Sequence, residues 1–216
     1  RTFTDYGEYA NAEAVVDYLK KETPNKNNQK LIFLNQAYLY QQLNNYDKMV
    51  ENLVQVAPNL HQSEGKAKVY FIIGQIYQQL GFDSEAYNNY KKCLSSNPEY
   101  ELYFYARLNI AQVTQLKNSG DLKSVRKHFK KLLTDKKNKE FKDKIYYEMA
   151  EFEARNGNSN LAIEYYKSSA QASVNNNRQK GMSFLKLGII YYDNLKNYEL
   201  ARDYYDSTIQ VLPKDF

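Results

Sequence analysis

Residues 67–100 read AKVYFIIGQIYQQLGFDSEAYNNYKKCLSSNPEY, and this stretch decides the fold. In its first half Tyr70, Ile73, Gly74 and Tyr77 return at the spacing that places side chains on one stripe of a helix. In its second half Ala86, Tyr90 and Cys93 do the same, and Pro98 stands where a helix must stop. Small residues at Gly74 and Ala86 let two helices approach closely, and the aromatic rings fill the space on either side. The stretch therefore predicts a helical hairpin.

The small position of the first helix recurs at Ala37, Gly74, Ala111, Ala150 and Gly188, at spacings of 37, 37, 39 and 38. That of the second recurs at Ala12, Met49, Ala86, Val125, Ala162 and Ala201, at 37, 37, 39, 37 and 39. Two independent ladders thus keep one period. Within a pair the step is 12, 12, 14, 12 and 13, so the variation is expected in the turns, at Asn118-Ser119-Gly120 and at Asn194 to Asn197. Pro24, Pro98 and Pro213 each stand 12 residues beyond a second-helix marker, whereas Pro58 comes early.

These offsets resemble the tetratricopeptide repeat, with a period a few residues above that family's usual length of about 34. The resemblance implies an all-α fold, an α-solenoid of antiparallel helix pairs wound into a right-handed superhelix. The expected organisation is one domain over 1–216. A half-repeat at 1–25, its helix over 3–22, leads into hairpins at 30–60, 66–96, 101–134, 141–174 and 179–211. A chain that opens in mid-repeat predicts further repeats upstream or a capping helix.

Composition agrees with helices. Eight Gly and four Pro in 216 residues are too few for the turns of a sandwich or barrel. With 22 Tyr against 10 Phe and no Trp, the core must be built partly from tyrosine, which is why mean hydropathy is only −0.77. No apolar run reaches membrane-spanning length, and Arg1-Thr2-Phe3 resembles neither a start nor a signal peptide, so an excised segment is expected. The single Cys93 cannot form an internal disulfide and reads as a buried small hydrophobe.

Groups that carry chemistry are sparse. His61 and His128 lack acidic or thiol partners at metal-ligand spacing, and neither a phosphate loop nor a nucleophile elbow is present. Glu148, Glu151 and Glu153 are expected to face solvent. The expectation is a protein that is not an enzyme and uses no cofactor or metal.

Charge is uneven along the chain. Residues 117–144 carry eleven basic groups against four acidic ones, a net +7, which leaves −2 for the remainder. The candidate basic patch comprises Lys123, Arg126, Lys127, Lys130, Lys131, Lys136 and Lys137, read either as a solvated face or as a dock for an acidic protein, glycan or phosphate. Nucleic acid is not expected, since only Phe129 and Phe141 accompany the charge, at core-like positions.

The tetratricopeptide resemblance also implies a concave groove lined by the first helix of each pair. Its candidate partner-binding residues are Tyr38, Gln41, Lys68, Phe71, Gln75, Gln78, Tyr105, Gln112, Gln115, Lys144, Tyr147, Glu151 and Tyr192. Leu31, Leu34, Leu108, Ala154, Met182, Leu185 and Ile189 share the same offsets. Amide and phenol groups there suit a protein segment or a sugar, while the Lys and Asn clamp of carboxylate-gripping adaptors is absent. The pairs Tyr146-Tyr147, Tyr165-Tyr166, Tyr191-Tyr192 and Tyr204-Tyr205 are expected to send one ring into the core and the other outward.

Three stretches, GFDSEAYNNYKKCLSSNP at 81–98, DKIYYEMAEF at 143–152 and IYYDNLKNYELARDYYDSTIQVLP at 190–213, resemble the SprE/PorW lipoproteins of the type IX secretion and gliding-motility machinery. That resemblance implies an outer-membrane-associated protein facing the periplasm, reaching the membrane only through a lipid anchor outside this segment. Its partners would be components of the secretion translocon and periplasmic ring. Two alternatives remain: a peptide-binding or sensory module of an unrelated regulator, cytoplasmic in that case, and a glycan or peptidoglycan binder.

Overall fold

The computed structural model describes residues 1–22, 25–114 and 119–212, without the side chains of residues 119 and 120. Among the described residues every long element is an α-helix and no strand occurs, as the period requires. The helices form two compact units, 1–115 and 116–216. The first holds α1 (Thr2–Asp5), α2 (Tyr9–Lys21), α3 (Lys26–Gln42), α4 (Tyr46–Val56), α5 (Lys66–Gln79), α6 (Asp83–Ser95) and α7 (Tyr100–Val113). The second holds α8 (Ser119–Thr134), α9 (Lys142–Arg155), α10 (Ser159–Ala172), α11 (Asn177–Ile189) and α12 (Tyr198–Val211).

Both ladders of small residues are interior. Ala12, Met49, Ala86, Val125, Ala162 and Ala201 are buried, as are Ala37, Gly74, Ala111, Ala150 and Gly188. Gly74 shows why size matters at the crossing. A Cβ placed there would lie 2.6 Å from the ring of Tyr90, and one at Gly188 would lie 2.6 Å from the ring of Tyr205. Each glycine therefore makes room for a tyrosine four residues beyond the opposing small residue. Tyr90 and Tyr166 are almost fully enclosed, each contributing a few kcal/mol of apolar burial.

A single turn design joins the pairs. Gly7, Asn44, Gly81, Gly157 and Lys196 all have positive φ, and each lies five residues before a second-helix marker. Glycine and asparagine adopt that left-handed conformation cheaply. Backbone bonds close the turn in the same register: Glu8 N to Phe3 O, Asn45 N to Tyr40 O, Phe82 N to Tyr77 O and Asn158 N to Glu153 O, at 2.8–2.9 Å. Asn45 and Asn197 then cap the helices that follow, accepting from the N–H groups of Lys48 and Leu200.

Three expectations are corrected by this geometry. The leading segment is not one helix over 3–22, because the turn at Gly7 separates the short α1 from α2. The extra residue between Gly188 and Ala201 is absorbed inside the helix, as a π-turn at Ile190–Asn194, and Asn197 N reaches back to Tyr191 O at 2.9 Å. Ser119 and Gly120, expected in a turn, already belong to α8, while Asn118 lies outside the described residues, as do Pro24 and Pro213.

Candidate partner-binding cleft

In the first unit, the start of α5, the loop that contains Ser96, Asn97 and Pro98, and the start of α7 come together around one space. They leave a cleft of about 650 Å³. Lys68, Phe71, Gln75 and Tyr105, four of the residues expected in the groove, line it together with Ile72 and Leu102. Phe71 is half-buried and held against the Tyr90 ring, centroids 5.5 Å apart, and Tyr105 sits edge-on to Phe104 at 5.2 Å. Lys68 and Gln75 are exposed at the mouth, with Glu99 and Glu101 also on the lining. An apolar floor with an amide, a phenol and charges of both signs at the rim suits an extended polypeptide, whose side chains alternate between pocket and solvent.

A smaller counterpart of about 430 Å³ occurs in the second unit, lined by Lys144, Tyr147, Glu148, Asn176, Arg178, Gln179 and Met182. Lys144 lies over the Phe141 ring at 5.3 Å. Burial, with Glu151 nearby, raises the Tyr147 hydroxyl well above the ordinary tyrosine value, so the phenol remains a neutral donor.

Several of the remaining groove residues are used by the protein itself. Tyr90 Oη donates to Gln78 Oε1 at 2.7 Å and accepts from Asn109 Nδ2 at 3.1 Å, and Gln78 Nε2 donates to Gln112 Oε1. Gln78 and Gln112 thus link α5, α6 and α7. In the second unit Tyr166 Oη donates to Glu151 Oε1 at 2.7 Å, and Lys186 Nζ lies 2.8 Å from the same oxygen. Tyr38 donates to Asp5 at 2.7 Å beneath the Arg1 guanidinium, Gln41 is exposed, and Tyr192 is exposed and edge-on to Tyr198. Gln115 lies outside the described residues. Two of the tyrosine pairs divide their rings, with Tyr166 interior while Tyr165 stacks on Tyr146, and Tyr191 stacked on Tyr204 while Tyr192 faces out, whereas both members of Tyr146-Tyr147 and of Tyr204-Tyr205 are half-buried.

The basic segment separates in the same way. Lys123, Lys127, Lys130, Lys131, Lys136 and Lys137 are exposed. Arg126 is not a free member of that set: Nε and Nη2 contact the two carboxylate oxygens of Glu153 at 2.7 and 2.5 Å. Glu153 is 1% exposed, which corrects the expectation that it faces solvent. Glu153 occupies the repeat position that Tyr77 holds in the 67–100 copy, so an acid stands at an interior aromatic site and needs a cation. That replacement was the signal available in the sequence. Cys93 is fully buried, and burial pushes its thiol up to about 11.

Tetratricopeptide repeat models match residues 67–100 and 182–215. Those two segments are tetratricopeptide repeats. Solved structures give the same fold at low identity. The apo quorum sensor NprR from B. thuringiensis superposes with a TM-score of 0.65 at 17% identity, over 97% of this chain and 63% of NprR, so the chain spans less than two thirds of that protein. BtubC from P. vanneervenii superposes at 0.59 and 13% identity, covering 94% of this chain and 89% of BtubC. The C-terminal part of a tetratricopeptide protein from Cytophaga hutchinsonii superposes at 0.55 and 17%, covering 97% and 76%. NprR has also been solved with its cognate peptide NprX, with a TM-score of 0.60 at 16% identity over 97% of this chain and 64% of NprR. No curated protein matches the sequence. These likenesses show the fold, a tetratricopeptide-type α-solenoid of paired helices.

Proposed function

We propose that this chain is a non-catalytic scaffold that holds a segment of a partner protein in the cleft of Lys68, Phe71, Gln75 and Tyr105. The observation that carries this reading is the cleft itself. Of the residues expected in the groove, these four share one open space, whereas Gln78, Gln112 and Glu151 are occupied by internal bonds. The setting proposed is the type IX secretion and gliding-motility machinery, with the chain on the periplasmic side between the outer-membrane translocon and the ring and motor. The likeness of residues 81–98, 143–152 and 190–213 to SprE/PorW proteins supports it. A second reading, a module that receives a short signalling peptide, is supported by the likeness to NprR, which binds NprX.

Photo-crosslinking from Gln75, an exposed cleft position, tests both in living cells. Capture of a translocon or ring protein, lost on Lys68→Glu, is the expected result. Capture of a short peptide instead would replace the first reading with the second. Absence of any crosslinked polypeptide would remove the cleft as a binding site.

A further inference from the structure

The cleft does not account for the lysines of α8. At about 100° per residue, Lys123, Lys127, Lys130 and Lys131 fall within an arc of about 100° on that helix and span about 12 Å of its length. Val125, Phe129 and Leu132 are buried on the opposite side. All four lysines are exposed, and none of their side-chain amines forms an ion pair or hydrogen bond among the described residues. Asp121, the one acid on α8, lies about 130° from the middle of the arc. Elsewhere in this unit Arg126 and Lys186 are neutralised by Glu153 and Glu151, so the α8 strip is left uncompensated where neighbouring cations are paired.

We infer that this strip docks an acidic amphipathic helix of a partner protein, at a surface separate from the cleft. The lysines recur at i, i+4, i+7 and i+8, the rhythm of one helical stripe. Carboxylates at the same spacing on an opposing helix meet them in register. The strip offers no exposed aromatic ring for base stacking and no apolar side chain to enter a bilayer, because Phe129 and Leu132 are interior. It also lacks a free arginine fork for phosphate, since Arg126 is spent on Glu153. Lysine, a hydrated point charge, steers an acidic surface without needing such a fork.

Fluorescence anisotropy with the full chain tests this. The probe is a labelled helical peptide of about 18 residues with Glu at i, i+4, i+7 and i+8, and the comparison peptide has the same composition with the stripe scrambled. The aligned peptide is expected to bind at least about tenfold more tightly than the scrambled one and to weaken as salt is raised. Lys123→Glu, Lys127→Glu, Lys130→Glu and Lys131→Glu together are expected to remove at least about tenfold of that affinity with helicity unchanged. Should the reversal unfold the chain, the four Lys→Gln changes replace it and must give the same loss. Equal affinity for the two peptides, or undiminished binding by the folded variant, overturns the inference. So does tighter binding to phosphatidylglycerol vesicles or to an oligothymidine strand than to the aligned peptide.

Discussion

The α5–α7 region and the α9–α11 region solve one problem with opposite chemistry. Each buries a tyrosine, Tyr90 or Tyr166, four residues after a small residue on the second helix, and each must satisfy its hydroxyl. Around Tyr90 the partners are neutral: Gln78 from the preceding helix, with Gln112 beyond it, and Asn109 from the following one. Around Tyr166 they are charged: Glu151 from the preceding helix, which in turn holds Lys186 of the following one. Asn109 and Lys186 both stand two residues before the small position of their helix, so the same geometric slot carries an amide in one unit and an ammonium in the other. The lesson is that the repeat dictates where a polar partner is required and leaves its charge open.

Ionic partnerships fail harder when one member is removed, because a buried charge is left without compensation. Arg126→Ala, which strands Glu153, is expected to lower unfolding stability by about 3 kcal/mol in urea titrations. Gln112→Ala in the neutral network is expected to cost about 1 kcal/mol. Comparable losses would show that the two units are not distinguished by charge at all.

The glycine crossings sharpen the comparison on a smaller scale. Gly74→Ala drives a methyl into a Tyr90 ring fixed by two hydrogen bonds, at an expected cost of about 2–3 kcal/mol. Gly188→Ala meets the ring of Tyr205, half-buried and with a hydroxyl that makes no hydrogen bond among the described residues, which can move aside for about 1 kcal/mol. Thermal unfolding of the two variants measures the difference, and an equal drop in Tm would deny that the hydrogen bonds lock Tyr90.

The smallest effect concerns an amide that found no network. Gln36 is 6% exposed, at the core position occupied by Ile73 in α5 and Leu187 in α11, and its Oε1 has no hydrogen-bond partner among the described residues. Gln36→Leu is expected to raise stability by about 1 kcal/mol, read by urea titration. Destabilisation would mean that the amide is satisfied by bound water.

Much of the architecture was legible. A crossing needs a small side chain wherever two helices touch, so Ala37, Gly74 and Ala150 announce their helices without knowledge of neighbours. Of the candidate groove residues, the repeat offsets placed Lys68, Phe71, Gln75 and Tyr105 on their helices, but that these four line one cleft is visible only in the structure. The π-turn at Ile190–Asn194 was not, because an added residue can lengthen a loop or widen a helix at similar cost, and its count alone is the same for both.

By itself the sequence determined the period, the pairing of helices and the interior faces, because these follow from side-chain size and apolar spacing within a single repeat. Only the tertiary structure decided which polar groove residues are spent inward and which remain outward. Gln78 with Gln112, Tyr166 with Glu151 and Arg126 with Glu153 are bonds across 34, 15 and 27 residues. Such bonds depend on ångström-scale approach between helices, a distance that no spacing of letters encodes.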